Sequence, residues 1–478
     1  MKRLFMLLLV SVFTISLAGC ITIDDEEIDC ELYPTHVDCL EDIDPTTSEA
    51  PGIVNVLDAL PTDEIIITFW HVYGQEKAAL LNDYIVEFEA LYPNVTINAE
   101  SQGGYDELRN KTILAITSNN TPTMLVGYPD HVAGYLNGNA VIPLDDFILD
   151  DTFGVDITDF IDSYIEENRQ YQGGYMYSLP YSKSTEMVVI NKDIFDANET
   201  ALTAAGVALR TDAPYTWAEL DILAGILVGN GANQCEYLIN FDSAANFFIN
   251  SVRQWDGGYT NSAGDILVDN ANTLAMLEYV QDRFEDKTFA IPLAWDADYG
   301  SANFQEGDSC MTVGSTAGIK YNVPTGVDAF EIAVAPVPQY DLDNMSAVQQ
   351  GPNVAIMEDT TDAERLAAWL FITYITNAEN TAKWSMLTGY LPVRYSGYDS
   401  TIYQAFLTSP DADYKYESMT ANAAFLQIGY NDYDPAFAGR VTSSGARLQA
   451  EISMKALFAG NATAQQAIDS ILSQLGVN

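Results

Sequence analysis

Basic residues are scarce in this chain. Its 478 residues carry 20 Lys+Arg against 68 Asp+Glu, a formal net charge of −48. A surface of that sign repels phosphate backbones and anionic headgroups and keeps a protein soluble, so a nucleic-acid partner is not expected. It leaves the ligand open, because one buried arginine reverses the local field. Cysteine is scarce too: there are five, and no CxxC occurs, which removes the zinc ribbon and the thioredoxin motif. GxSxG, HExxH, the P-loop and the full EF-hand pattern are missing. GNGANQ, Gly229 to Gln234, lacks the third glycine of the dinucleotide motif. DLDN, Asp341 to Asn344, lacks the following glycine and glutamate of a calcium loop and reads as loop surface. Of the three histidines, His36, His71 and His131, His71 ends a strand-like run and reads as a hydrogen-bonded residue near the core. No metal or cofactor is expected. The many carboxylates leave a glycosidase pair open by number alone, and nothing nominates one.

Long apolar runs are also missing, with one exception at the N-terminus. MKRLFMLLLVSVFTISLAGC has Lys2 and Arg3 and then an apolar run from Leu4. That run is about 14 residues, short of the ~20 that a spanning helix needs, and reads as a secretory signal, residues 1–19. Its end, Leu17-Ala18-Gly19-Cys20, resembles a bacterial lipobox, which implies lipidation at Cys20 and a lipid anchor on the extracellular face. Residues 20–62 are acidic and turn-rich and read as a tether. Cys30 and Cys39 within it are placed to close a small disulfide loop in an exported chain. Cys235 and Cys310 lie in apolar, strand-like stretches, and both a disulfide and buried thiols stay open.

What is present is an alternation of strands and helices. EIIITFWHV, Glu64 to Val72, is a β-rich apolar run that predicts a strand buried on both faces, as in a parallel sheet. Leu80, Leu81, Tyr84, Ile85, Phe88 and Leu91 follow at helical spacing, Pro93 stops the helix, and VTINAE alternates as the next strand: a βαβ unit. KTILAIT reads as helix and TMLVGY as buried strand. Leu274, Leu277 and Phe284 share a helix face, as do Ile468, Ile471, Leu472 and Leu475. Thr216 with Glu219, Thr361 with Glu364 and Thr463 with Gln466 are spaced as capping boxes. In TGYLPVR, Gly389 and Pro392 place Tyr390 on a loop, where a large ring either packs on the loop's floor or covers a ligand.

Several stretches in order resemble the family 1 extracellular solute-binding proteins, the receptors of ABC importers. They are FWHVYGQE, GGYDELRNKTILAITSNNTPTMLVGY, GNAVIPLDDFI, SLPYSKSTEMVVINKDIF, TWAEL, FQEGDSCMTVGSTAG, QQGPNVAIM and TGYLPVR. The glycerol-3-phosphate-binding branch is the nearest in pattern. The resemblance implies an α/β, two-lobed, periplasmic-binding-protein-like fold of type II, with the ligand cleft between lobes joined by three crossings. These are expected near Leu179–Ser184, Gln350–Pro352 and Arg394–Tyr398. The N-terminal lobe would take residues 63–180 and 353–395, and the C-terminal lobe 181–352 and 396–478. Carried over by motif, the ligand residues are Tyr105, Asp130, Ser184, Ser315, Gly351, Tyr390 and Arg447. The implied function is capture of a sugar or glycerol-phosphate-type solute, without catalysis, by a monomer that docks on a membrane permease. A neutral-oligosaccharide receptor and a lipid-anchored glycan hydrolase are the alternatives.

Overall fold

The computed structural model describes residues 53–408, 410–439 and 441–477. The signal peptide, Cys20, Cys30 and Cys39 lie outside the described residues. In chain order the elements that build the site begin with β1 (Ile65–His71), α1 (Gln75–Leu91), β2 (Val95–Ser101), α2 (Tyr105–Thr117), β3 (Met124–Gly127) and α3 (Pro129–Asn137). The remaining strands are β4 (Leu179–Pro180), β5 (Ser184–Asn191), β6 (Tyr237–Phe241), β7 (Phe289–Ala290), β8 (Ser309–Ser315), β9 (Ile332–Pro336), β10 (Ala347–Gln350), β11 (Asn353–Ile356) and β12 (Asn431–Asp432).

Two sheets result. The first has the order β2-β1-β3-β11-β4. β1 runs parallel to β2 from Ile65 opposite Val95 to His71 opposite Ser101, and parallel to β3. β11 returns antiparallel between β3 and β4. The expectation that β1 is buried on both faces is corrected: Ile65, Ile67, Phe69 and His71 are buried, but Ile66 is 49% exposed. The inner face is covered by the Asp362–Ile375 helix, whose Phe371 ring packs edge-on against Phe69. On the outer face α2 and α3 cover Leu125 of β3 and Ala355 of β11 and reach Trp70, but they stop short of Ile66 and of the edge strand β2, which is largely exposed. His71 is a core histidine as expected: its Nδ1 accepts from the Tyr73 N–H at 3.1 Å, and burial lowers its pKa to about 4.

The second sheet has the order β12-β10-β5-β8-β6-β7, with β9 also on β5. β5 is buried along its whole length. Each sheet has its own apolar core, one around Phe69, Phe88 and Trp369, the other around Val188, Leu220 and Ile239. The molecule is thus a two-lobed α/β structure. β4 ends at Pro180 in the first sheet and β5 starts at Ser184 in the second; β10 ends at Gln350 and β11 starts at Asn353. Two crossings therefore fall where the sequence places them. Around the third expected position the chain stays with the first core, which includes Tyr398, Tyr403 and Phe406. The Lys415–Gln427 helix then gives Ala421 to that core and Ala423 to a cluster with Met187 and Val189 of β5. The stretch read as tether is also partly packed: Val54 is 6% exposed and its N–H donates to Asp146 at 2.7 Å.

The crossings meet at Lys183, whose side chain is fully buried. Its ammonium donates to Glu167, to the Gly351 carbonyl at 2.9 Å and to Asn353 Oδ1 at 3.4 Å. Its own carbonyl accepts from the Leu391 N–H at 2.7 Å. Glu167 also accepts from Gln349 at 3.1 Å and from Asn353 at 3.3 Å, so the buried charge pair is fully hydrogen-bonded, the condition under which such a pair is tolerated. Gly351 has φ +97°, and a Cβ there would lie 2.0 Å from the Ser182 carbonyl oxygen, so only glycine fits this crossing. Cys235 and Cys310 form a disulfide, which settles the alternatives left by the sequence in favour of a cross-link.

Candidate functional site

Tyr390 follows Gly389, the left-handed residue that ends the Ala378–Thr388 helix. A Cβ at Gly389 would lie 2.6 Å from the Thr316 carbonyl oxygen, so glycine lets the chain turn against the opposite lobe. The turn lays the Tyr390 ring parallel to that of Trp384, with centroids 6.3 Å apart. Trp384 is tied in place by its indole N–H, which donates to Ser182 Oγ at 3.0 Å, and the same hydroxyl meets Tyr73 Oη at 2.9 Å. The Tyr390 hydroxyl lies 3.3 Å from that of Tyr105, the first residue of α2. The Tyr105 ring packs on Tyr128, just before α3, at a centroid distance of 4.5 Å. Tyr105, Tyr128 and Tyr390 thus form one aromatic wall. Burial raises all three phenol pKa values; Tyr390 adds to the rise for Tyr105 and Tyr128, while the Tyr105 hydroxyl works against it at Tyr128. The hydroxyls are therefore neutral and able to donate.

Lys77, in the first turn of α1, places its ammonium 4.6 Å from the Tyr390 ring centroid and donates to the Ala317 carbonyl at 3.3 Å. Burial, helped by the Lys320 charge, lowers its pKa to about 8. Next to it Glu76 pairs with Lys320 at 2.9 Å, a second contact from α1 to the far lobe.

A charged group lies at the other end of the wall. Arg447 is in the first turns of the Ser443–Phe458 helix, which is capped by Thr442. Its guanidinium donates to Asp434 at 3.1 Å and to the Asn246 side-chain carbonyl. Asp434 is shared with Arg253 at 2.8 Å. From the first lobe, Asp130 in the first turn of α3 accepts a hydrogen bond from Ser444. Burial opposes the Asp130 charge, but His131, the Ser444 hydroxyl and Arg447 together hold its carboxyl below the usual range.

Behind Arg447 lies Glu186 on β5, 3% exposed. It accepts from Asn246 Nδ2 at 2.7 Å and from Asn250 Nδ2 at 2.8 Å. Burial pushes its carboxyl up to about 7; the two asparagines and Arg447 work against that rise, and Asp242 adds to it.

The seven residues singled out from the sequence fall into three places. Tyr105 and Tyr390 touch. Asp130 and Arg447 meet across the lobes through Ser444. Ser184 and Gly351 stand together at the crossings, where Ser184 pairs with Gln350 in the ladder. Ser315 lies at the end of β8, opposite Glu186 in the ladder, and caps the following turn by accepting from the Ala317 N–H at 3.3 Å. Among the described residues Ser184, Ser315 and Gly351 make no hydrogen bond to the tyrosine pair, to Asp130 or to Arg447. Sequence reasoning missed Lys77, Tyr128, Glu186, Asn246 and Asp434. Glu186 carried a signal: a lone acid directly before the apolar run Met187–Ile190 of the strand STEMVVIN.

Among the described residues no cluster of His, Cys, Asp or Glu is arranged to hold a metal ion, and no helix is long and apolar enough to cross a membrane. What the site offers is aromatic faces, neutral hydroxyls, and Arg447 among Asp130, Glu186 and Asp434, the last shared with Arg253.

Residues 83–409 match the family described as "Bacterial extracellular solute-binding protein". The sn-glycerol-3-phosphate-binding periplasmic protein UgpB of Escherichia coli K12 is 22% identical over 363 residues, covering 73% of this chain and 78% of that protein. Among solved structures, UgpB from Mycobacterium tuberculosis in complex with glycerophosphocholine has a TM-score of 0.68 at 22% identity, covering 86% of this chain and 97% of that one. The cyclic alpha-maltosyl-1,6-maltose binding protein from Arthrobacter globiformis has a TM-score of 0.68 at 19% identity, covering 86% and 98%.

Proposed function

Because the chain belongs to the bacterial extracellular solute-binding proteins, we propose that it captures a sugar or glycerol-phosphate-type solute between its lobes and delivers it to an ABC permease. The observation that carries this reading is the aromatic wall of Tyr105, Tyr128 and Tyr390 ending at Arg447 and Asp130. Flat apolar faces suit the C–H surfaces of a polyol, and a few convergent polar groups fix its orientation. In this reading Tyr105 and Tyr390 stack on the ligand, and Arg447 holds an anionic or hydroxyl group. Asp130 accepts a ligand hydroxyl. Ser184, Ser315 and Gly351 supply donors from the crossings and from β8. The protein acts as a monomer, without catalysis, tethered outside the cell through lipidated Cys20. The UgpB likeness supports glycerol phosphates, and the maltosyl-maltose receptor supports sugars.

A neutral oligosaccharide is the second reading. It is favoured by the pairing of Arg447 with Asp434 and Asn246, which leaves the guanidinium partly neutralised. A thermal-shift screen of sugars and glycerol phosphates, followed by calorimetry on the hits, tests both. A rise in melting temperature with ligand, without product, is expected. A screen in which no sugar or glycerol phosphate changes the melting temperature would sink the reading.

A further inference from the structure

We propose that Glu186 is a specificity-determining residue of this cleft: as a carboxylate it biases Arg447 toward a neutral, hydroxyl-bearing ligand group, and on taking a proton from solvent it removes one of the negative charges that compete with an anionic ligand for the guanidinium. The inference rests on the binding role given to Arg447 under Proposed function.

The geometry is a relay of two amides. A carboxylate has no hydrogen to donate, so both asparagines must turn their NH2 groups toward Glu186, and they do. That orientation aims the Asn246 carbonyl at Arg447, where it accepts from the guanidinium. The positive charge of Arg447 therefore has Glu186 one amide behind it and Asp434 beside it. With Asp130 across the cleft, three carboxylates face a guanidinium that an anion would have to share.

Protonation changes this without repacking. A neutral acid needs an acceptor for its O–H. The Asn250 side-chain oxygen is buried and has no partner, so Asn250 can turn its amide and accept that hydrogen, exchanging its own donation to Glu186 for an acceptance from it. Asn246 keeps its hold on Arg447, and the site gains one unit of positive charge. The groups that face Glu186 are Arg447 from the Ser443–Phe458 helix, Asp242 after β6, Asn246 and Asn250 from the Ala244–Gln254 helix, and Ser315 opposite it on β8. Arg447 favours its ionised form and Asp242 its neutral one. A carboxyl pushed up to about 7 is ionised above neutrality and protonated below it. By linkage, an anion on Arg447 favours the proton on Glu186, so anion affinity falls as pH rises through that range.

The test uses the full chain and two probes: maltose, and glycerophosphoglycerol, a phosphodiester whose charge is constant over the range studied. In the wild type the phosphodiester affinity should fall about tenfold between about pH 6 and about pH 8, with maltose nearly unchanged. Glu186→Gln should bind the phosphodiester at both pH values as the wild type does at the lower one. Any slope that remains in Glu186→Gln belongs to Lys77 or His131. A wild-type affinity with no slope, a slope equal in the two proteins, or an equal slope for maltose overturns the proposal. A ligand-free measurement separates it from the binding reading: the 13C carboxyl resonance lost in Glu186→Gln should titrate near neutrality, with a higher midpoint in Arg447→Gln. If neither probe binds, the reading under Proposed function is left to its own screen and this titration alone decides the proposal. A raised midpoint supports the link between Glu186 and Arg447, and an unmoved or absent one overturns it.

Discussion

At Tyr390 and Arg447 the two readings of the ligand separate. A hydrogen bond to a charged group contributes roughly 1.5–3 kcal/mol, or about 10- to 150-fold in affinity. Arg447→Ala should weaken a phosphorylated ligand by at least about tenfold and a neutral sugar much less. Tyr390→Ala should weaken both, because stacking needs no charge. Calorimetry with glycerol 3-phosphate and maltose reads both effects; loss of the best ligand in Tyr390→Ala with no change in Arg447→Ala selects the oligosaccharide. A backbone prediction belongs at the same scale. Gly351→Ala meets both a positive φ and a carbonyl 2.0 Å from the new carbon, so it should cost well over ~1 kcal/mol in urea unfolding. Gly225→Ala, in the Trp217–Leu227 helix with nothing within 4 Å of the added carbon, should gain about 0.5–1 kcal/mol. Equal effects at the two positions would contradict the crossing geometry. The loop position of Tyr390 was legible, because Gly389 and Pro392 are local signals. The linkage of Glu186 to Arg447 was not, because it runs through Asn246, 60 positions from Glu186 and 201 from Arg447.

Among elements, the ones with local signals were legible in the sequence. All three capping boxes form, at Thr216, Thr361 and Thr463, and each helix begins where its box sits. α1 and β2 form where their spacing places them, with Leu81, Tyr84, Ile85 and Phe88 buried as expected and Leu91 exposed at the end of α1. Exposure on the outer side of β1 was hidden because it depends on what lies beside the strand, not on the strand's own residues. The chain's course after Arg394 was hidden for the same reason: Tyr398, Tyr403 and Phe406 carry no mark of which core they join. The disulfide gives the element-scale prediction. It ties Cys310 of β8 to Cys235, just before β6, across a sequence separation of 75. Cross-linking a loop of that length stabilises by about 4 kcal/mol in the chain-entropy view. The double variant Cys235→Ser, Cys310→Ser should lose roughly 2–4 kcal/mol in denaturant unfolding. Stability unchanged from the oxidised wild type would show that the cross-link contributes nothing to the folded second lobe.

For the whole molecule, polar contacts between the lobes include Ser444 with Asp130, Lys320 with Glu76, and Lys77 with the Ala317 carbonyl, and Ala436 adds a small apolar one against Leu125 and Val132. The ion pair among them is exposed, and exposed ion pairs contribute only ~0–1 kcal/mol, so ligand burial should supply much of the closing free energy. X-ray scattering should show a smaller radius of gyration once a ligand identified by calorimetry is bound. Identical curves with and without a bound ligand would count against closure. Raising the salt concentration should loosen the ligand-free contacts, since screening acts on exposed pairs.

The buried Lys183 gives that movement a pivot. Its ammonium and its carbonyl together hold the two crossings, at Lys183 itself and at Gly351 and Asn353, and the Leu391 segment of the first lobe to one point. Strands fastened at one point swing rather than slide, and a swing leaves what is near its axis in place while parting what is far from it. If the lobes open as proposed, Ser182 should stay bonded to Tyr73 and Trp384, so the floor under Tyr390 would stand assembled before any solute arrives. Lys320 and Ser444 would be carried away from Glu76 and Asp130 on the same arc. An incoming molecule would then meet a finished surface on one side and complete the other by its own presence.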